Sequence, residues 1–190
     1  DAQESRGLGD VYKRQADDTL WHNETIFRLT HARFVDLLAD HGDEATIEAR
    51  LAETEQRNLR LYGYGIKGFT LSMIETAMEL TNGAAPPHVV REILAAGREM
   101  LAHPVETLPG VDAVVAELSE KYRLLLITKG DLLDQERKLA ASGLGDLFSA
   151  VEIVSEKDRA TYERVFTRHG TGPAEACLLY TSDAADDLLC

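Results

Sequence analysis

Cysteine is nearly absent from this sequence. The 190 residues include two cysteines, Cys177 and Cys190, and both lie close to the C-terminus. The preceding residues therefore offer no thiol for a disulfide framework, a cysteine zinc site or a cysteine nucleophile. Thiol chemistry is excluded from the bulk of the chain.

Long apolar runs are absent as well. No stretch approaches the roughly 20 apolar residues that a membrane-spanning helix needs, and no charged, apolar and small-residue signal peptide opens the chain. The 44% of hydrophobic residues still suffice to build the core of one domain, or of one domain with a sizeable insertion. The composition predicts a soluble globular protein with a cytoplasmic location.

Basic residues are in deficit. The chain has 20 Lys and Arg against 33 Asp and Glu, which gives a net charge of −13. Without a basic stripe, this charge argues against nonspecific binding to nucleic acid or to an anionic membrane. A cationic pocket for a small anionic ligand is still compatible with an acidic body, and the oligomeric state stays open.

Residues 23–103 show apolar residues at helical spacing and predict an insertion of four helices. The first helix is expected to stop at Gly42, and the fourth to begin at Pro87, since proline is tolerated in the first helical turn. The apolar residues that mark the four helices are Phe27, Phe34, Leu37 and Leu38; Ile47 and Leu51; Ile66, Phe69, Met73, Ala77 and Met78; and Val90, Ile93, Leu94 and Leu101.

After Pro104 the pattern changes to helix, strand, helix, strand, helix. Residues 123–128 and 150–154 are short apolar runs of the kind found in buried parallel strands. Between them, Leu132, Leu133, Glu136, Leu139 and Ala140 recur at helical spacing. This alternation predicts an α/β fold with a parallel sheet and helical crossovers.

Two acids and a hydroxyl, Asp17, Asp18 and Thr19, follow a basic segment. A carboxylate-based phosphate-transfer site usually needs two acids at alternate positions, because period-two spacing puts both on one side of a strand. The alternate partner of Asp17 is Gln15, whose amide cannot attack phosphorus. Taken alone, these residues are more typical of a helix N-cap or a turn.

Candidate anion-binding groups follow each predicted strand. Thr128 ends the first strand, and the backbone N–H groups of Lys129 and Gly130 lie at a strand-to-helix turn, where anions bind readily. Lys157 follows the second strand. Each residue alone suits a structural role, but open α/β sheets bind ligands at the carboxyl ends of their strands, and this shared placement favours a site.

Together, residues 16–21 (ADDTLW), 124–131 (LLLITKGD) and 155–165 (SEKDRATYERV) resemble the motifs of the haloacid dehalogenase-like hydrolase superfamily, whose members are mostly phosphatases. The resemblance covers nearly all of residues 16–176, and the helical insertion is similar to the family's helical-cap subclass. It implies a Rossmann-like parallel-sheet core, truncated here, with an inserted helical-bundle cap.

The resemblance also implies a role for each matching residue. The leading aspartate of the first motif attacks phosphorus to give an aspartyl-phosphate, and Gln15 occupies that position. Asp17 matches the residue that protonates the leaving oxygen and then activates water. Thr128, with the amides of Lys129 and Gly130, matches the phosphoryl-binding group, and Lys157 matches the cation that offsets negative charge.

A magnesium ion is implied in the same way. Its ligands would be the leading aspartate, the backbone carbonyl of Asp17 and an acid of a fourth motif. Gln15 supplies no carboxylate, and the fourth motif falls beyond Ala176. We therefore expect the parent protein to be a Mg²⁺-dependent phosphomonoester hydrolase acting on a small phosphorylated metabolite, and this chain to be inactive.

Two alternatives stay open. A haloalkanoate-type dehalogenase uses the same scaffold, although Asp17 favours phosphate ester cleavage because a halide leaving group needs no proton. A noncatalytic binding or regulatory protein that keeps the fold is the second, and it would lead if Gln15 is the natural residue.

Residues 11–15 and 177–182 read as the two ends of a DNA scar. Val-Tyr-Lys-Arg-Gln can be back-translated to GTG TAT AAG AGA CAG, and Cys-Leu-Leu-Tyr-Thr-Ser to TGT CTC TTA TAC ACA TCT. Apart from frame and overhang these strings are reverse complements, and the pair resembles the inverted ends of transposon-based sequencing adapters. Such scars are excluded from fold reasoning. The predicted division is an adapter-derived segment at 1–15, an α/β hydrolase core at 16–22 and 104–176, a helical cap at 23–103 and an adapter-derived tail at 177–190.

Overall fold

Residues 17–172 and Ala176 are described by the computed structural model, and most of them are helical. The chain divides into two units. The helical unit contains Asn23–Pro104, and the sheet unit contains residues 17–22 together with residues 105–172.

The helical unit consists of four helices, as the apolar spacing predicts. They are α2 (Glu24–Leu37), α3 (Glu44–Tyr62), α4 (Ile66–Leu80) and α5 (Pro87–Ala102). Asp43 caps α3, because its carboxylate accepts from the backbone N–H of Thr46 at 2.8 Å. Apolar side chains from all four helices form one buried core, which includes Phe34, Leu38, Ile47, Leu51, Ile66, Met73, Ile93 and Met100.

Helices α4 and α5 approach closely at Gly97. A Cβ atom at this position would lie 2.4 Å from Oγ1 of Thr70 and 3.0 Å from its Cγ2. Glycine in a helix interior usually costs stability relative to alanine, about 0.5–1 kcal/mol. Here the absence of a side chain lets the two helices pack closely, so a tertiary contact explains why glycine occupies this position.

The sheet unit begins with the short helix α1 (Asp17–Leu20). Its end is joined to a later segment by backbone hydrogen bonds from Leu108 N to Leu20 O at 2.8 Å and from His22 N to Glu106 O at 2.9 Å. An antiparallel bridge between Trp21 and its partner residue 107 lies between these two bonds. The unit continues with α6 (Val111–Lys121), β1 (Leu125–Lys129), α7 (Leu132–Ser142), a 3₁₀ turn (Gly145–Leu147), β2 (Ala150–Val154) and α8 (Arg159–Arg168).

Strands β1 and β2 form a parallel pair, with Leu125 opposite Ala150 and Lys129 opposite Val154. Helix α7 is the crossover between them. Leu20, Trp21 and Val115 are the buried centre of this unit, and Leu126 of β1 is among the partly buried side chains that pack against them. The prediction of an α/β fold with a parallel sheet and an inserted helical bundle is confirmed.

The buried face of α7 differs from the one that the apolar repeat indicates. Leu132 and Leu133 are 59% and 65% exposed, whereas Asp134, Gln135 and Lys138 are buried. The buried charges are paired: Oδ2 of Asp134 lies 3.3 Å from Nζ of Lys138. Pairing offsets the cost of burial, so the helix can turn a polar face inward, and periodicity located the helix but not its orientation.

Several predictions fall outside the described part of the chain. They are the position of Gln15, a first strand at residues 11–15, a further strand near residue 174, and the adapter-derived ends. No helix within residues 17–172 is long and apolar enough to cross a membrane.

Candidate active site

The turn between β1 and α7 places Thr128 at the carboxyl end of β1, where its side chain is 3% exposed. Gly130 follows with φ +151°, a backbone conformation that favours glycine. Asp131 then caps α7, because its Oδ1 accepts from the backbone N–H of Asp134 at 3.1 Å. One N-terminal donor of α7 is thus already satisfied by a carboxylate, which leaves the turn, more than the helix end, for the predicted anion-binding role.

The hydroxyl of Thr128 is held by Gln135. Its Oγ1 donates to Oε1 of Gln135 at 3.0 Å, and Gln135 is itself 3% exposed. The same amide fills the space beneath Gly130, where a Cβ atom would lie 2.9 Å from Nε2 and 3.3 Å from Cγ of Gln135. One side chain on the first turn of α7 therefore contacts both ends of the strand-to-helix turn.

A buried lysine joins the segments that follow the two strands. Lys129 is 8% exposed, and its Nζ lies 3.3 Å from Oε2 of Glu156. Because Lys129 is opposite Val154 in the sheet, the segment after β2 lies at the same edge as the turn after β1. The ion pair fixes one segment to the other, with the half-buried Lys157 next in sequence.

Lys157 is placed between β2 and α8. The backbone N–H of Thr161 donates to Oδ1 of Asp158 at 2.8 Å, which caps α8 and lowers the pKa of Asp158 below its usual value. The carboxylate of Asp158 therefore stays ionised at neutral pH. The cap fixes where α8 begins, and so limits the freedom of Lys157 one residue earlier.

The first motif is described in part. Asp17 and Asp18 are the first two residues of α1, and their side chains lie outside the described part of the structure. Leu20 and Trp21, 7% and 2% exposed, anchor the end of the motif in the core of the sheet unit. The three motifs therefore belong to one unit. The structure brings the turn at Thr128 together with the segment that carries Lys157, and it does not describe the carboxyl group of Asp17.

The donor set for magnesium is incomplete in this chain. Mg²⁺ prefers carboxylate and other oxygen ligands, but the leading position holds Gln15, a neutral amide. Among residues 17–172, no group of three or more His, Cys, Asp or Glu side chains is arranged to hold a metal ion. The residues that the structure describes therefore do not supply a site that fits the ion.

Two polar residues at this edge, Gln135 and Glu156, are not predicted by the sequence patterns. Gln135 lies seven positions after Thr128, on a helix whose leucines suggested a different buried face. Glu156 sits beside Lys157 in a run of charged residues that reads as solvated loop. The sequence signal for Gln135 was that a polar residue lies on the first helical turn after a hydroxyl at the end of a strand. Its hydrogen-bond partner, however, is set only by how the chain folds at this turn.

One of three comparisons with known proteins gives matches. Neither a protein-family model nor a curated protein matches the chain. Among solved structures, it is similar to a haloacid dehalogenase-like family hydrolase from Xanthomonas campestris, at 44% sequence identity with a TM-score of 0.77. The match covers 83% of this chain and 70% of that one. Identity at this level over most of the chain shows that the chain belongs to the haloacid dehalogenase-like family of hydrolases.

Proposed function

We propose that the parent of this chain is a Mg²⁺-dependent phosphomonoester hydrolase that acts through an aspartyl-phosphate on a small phosphorylated metabolite. The observation that carries the proposal is the sheet edge at which the buried Thr128 and the segment with Lys157 lie side by side, joined by the Lys129–Glu156 ion pair. A hydroxyl, backbone amides of a glycine turn and an ammonium group are the donors that a phosphoryl group requires.

Each residue has a proposed role. The Thr128 hydroxyl and the amides of Lys129 and Gly130 bind the phosphoryl oxygens. Lys157 offsets the negative charge that this group brings to the nucleophile position. Asp17 donates a proton to the leaving oxygen and afterwards takes one from the attacking water. The helical unit is proposed to select the substrate.

We further propose that this chain is itself inactive. Gln15 cannot form an aspartyl-phosphate, because an amide nitrogen or oxygen does not serve as the attacking carboxylate. The acid of the fourth motif does not occur before Ala176. The chain therefore lacks the nucleophile for the covalent step and two of the three groups that would bind Mg²⁺.

The test is Mg²⁺-dependent release of phosphate from an aryl phosphate. Three proteins are compared: the chain as it stands, Gln15→Asp, and Gln15→Asp with the native continuation after Ala176. We expect activity at least about a hundredfold higher in the double repair than in the unrepaired chain, and partial recovery in the single repair. Asp17→Asn in the repaired background should remove at least about a hundredfold of that activity.

Two results would contradict this proposal. Strong turnover by the unrepaired chain means that the nucleophile is not at position 15. An inactive double repair that folds and binds Mg²⁺ argues instead for dehalogenation, which a 2-haloalkanoate assay on the same proteins measures through halide release, or for a noncatalytic role.

A further inference from the structure

We propose that Gln135 positions the hydroxyl of Thr128, and that its side-chain amide rotates by half a turn when an anion occupies the turn after β1. The inference rests on the proposed function, because it takes this turn to be the phosphoryl-binding site. It concerns how the site changes from its empty to its occupied hydrogen-bonding state.

The need for a change follows from counting hydrogens. A threonine hydroxyl has one hydrogen to donate, and in this structure Thr128 donates it to Oε1 of Gln135 at 3.0 Å. The hydroxyl then presents only lone pairs to an incoming phosphoryl oxygen, and these repel it. Thr128 can bind an anion by donation only after Gln135 stops accepting that hydrogen.

The amide of Gln135 can make this change without losing its contact. An amide carries an acceptor at one end and donors at the other, and half a turn about its last bond exchanges them. Nε2 then donates to Oγ1 of Thr128, and the hydroxyl hydrogen is redirected to the anion. The hydrogen bond between Thr128 and Gln135 is therefore kept in both states, with its direction reversed.

Gly130 provides the room for this rotation. The amide already lies so close that a Cβ atom on residue 130 would be 2.9 Å from Nε2. Any side chain there would push the amide away from Thr128. The glycine thus meets two requirements, a φ of +151° and contact with a polar group that exchanges its two ends.

Glutamate at position 135 separates this inference from a purely structural role. A carboxylate keeps the shape and the acceptor of glutamine but has no N–H to donate. If Gln135 only supports the turn, Gln135→Glu should weaken anion binding less than Gln135→Leu does. If the hydroxyl must be released, Gln135→Glu should be the worse of the two for anion binding, and Gln135→Asn should rescue part of the loss.

The experiment is a ¹⁵N NMR titration of the full chain with inorganic phosphate, against sodium chloride of matched ionic strength. We expect the side-chain NH₂ signals of Gln135 and the backbone amide of Gly130 to shift together, with one apparent Kd. Gln135→Glu should weaken phosphate binding by roughly tenfold, the loss expected for one hydrogen bond. Glu136→Gln, on the exposed side of the same helix, is the matched control and should bind as the unmodified chain does.

A Thr128→Val background isolates the effect of the added charge, because it removes the hydroxyl and leaves the charge of Gln135→Glu in place. In this background, Gln135→Glu should reduce phosphate affinity much less than it does when the Thr128 hydroxyl is present. If the loss came only from repulsion between carboxylate and phosphate, it would be the same in both backgrounds. An equal loss in both backgrounds, or a Gly130 shift without any Gln135 response, overturns the inference and leaves the proposed function standing. Phosphate that shifts neither signal overturns the phosphate site and the inference with it.

Discussion

At the scale of single residues, Gly130 carries the strongest constraint in the candidate site. Its φ of +151° and the 2.9 Å approach of Gln135 both require the absence of a side chain. The motif that contains this glycine was recognisable in the sequence because it follows a strand-ending threonine. The role of Gln135 was not recognisable, since it depends on how α7 packs against the turn.

We predict that Gly130→Ala lowers the free energy of unfolding by about 1–3 kcal/mol, because alanine strains the backbone and displaces Gln135. Urea denaturation followed by circular dichroism measures the change. The control is Gly172→Ala: a Cβ atom there would meet nothing within 4 Å. Equal stabilities of the two variants would contradict the assigned constraint.

At the scale of elements, a partly buried carboxylate joins β2 to the end of α8. Oε2 of Glu152 lies 2.7 Å from Nη1 of Arg168, and Oε1 lies 2.8 Å from Nε2 of His169. The hydrogen bond with His169, followed by that with Arg168, lowers the pKa of Glu152 below its usual value. The carboxyl group is thus more strongly bound in its ionised form, and its contribution to stability depends on pH.

We predict that Glu152→Gln costs about 1 kcal/mol of unfolding free energy at pH 7, since Arg168 is largely exposed and solvent weakens the pair. Because the folded-state pKa is lowered, the contribution is present above the unfolded pKa and is lost as pH falls through the folded one. The difference between the two proteins should therefore begin to shrink below the pKa of an unperturbed glutamate, about 4.3, and should vanish only below the lowered folded-state pKa. Unfolding by urea at a series of pH values measures this.

Glu163→Gln on the same helix is the control for that measurement. Glu163 pairs with Arg159 four positions earlier, and both side chains are more than half exposed. Its loss should cost no more than about 0.5 kcal/mol. A pH-independent cost at Glu152 would mean that its packing, not its charge, fastens β2 to α8.

Most of the helices and strands could be predicted from the sequence. Ile47 and Leu51, or Ile93 and Leu101, recur at helical spacing because one face of each helix is buried, and the apolar run at 124–128 is short because it is a strand. Which face of a helix is buried was harder to predict. In α7 the leucines at 132 and 133 are exposed, and the buried face holds the Asp134–Lys138 ion pair, which only tertiary pairing makes tolerable.

At the scale of the whole molecule, the helical unit has a core of its own. Its largest buried side chains, from Phe34 to Met100, pack against each other across four helices. On its surface, Arg33 joins α2 to α5 through Glu92 at 2.6 Å and Glu99 at 2.9 Å. A unit with its own core is expected to fold without the rest of the chain.

We predict that Asn23–Pro104, expressed alone, unfolds cooperatively and keeps a helical circular dichroism spectrum, because its apolar contacts lie within the segment. Thermal melting at 222 nm measures it. The matched variant Leu51→Asp places a charge at a fully buried position and should abolish the transition. A fragment that melts without a transition would show that its core depends on the sheet unit.

The bonds that join residues 20–22 to residues 106–108 also bear on the order of folding. They close a loop of about 80 residues, and the entropy lost on closure grows with the logarithm of loop length. The helices inside that loop make mostly local contacts, which form faster than distant ones. Once they have packed, the two ends of the insertion are held by a folded body, and Leu20 no longer searches for Leu108 through a random coil. We therefore expect the helical unit, once folded, to reduce the entropy lost when these bonds close the loop.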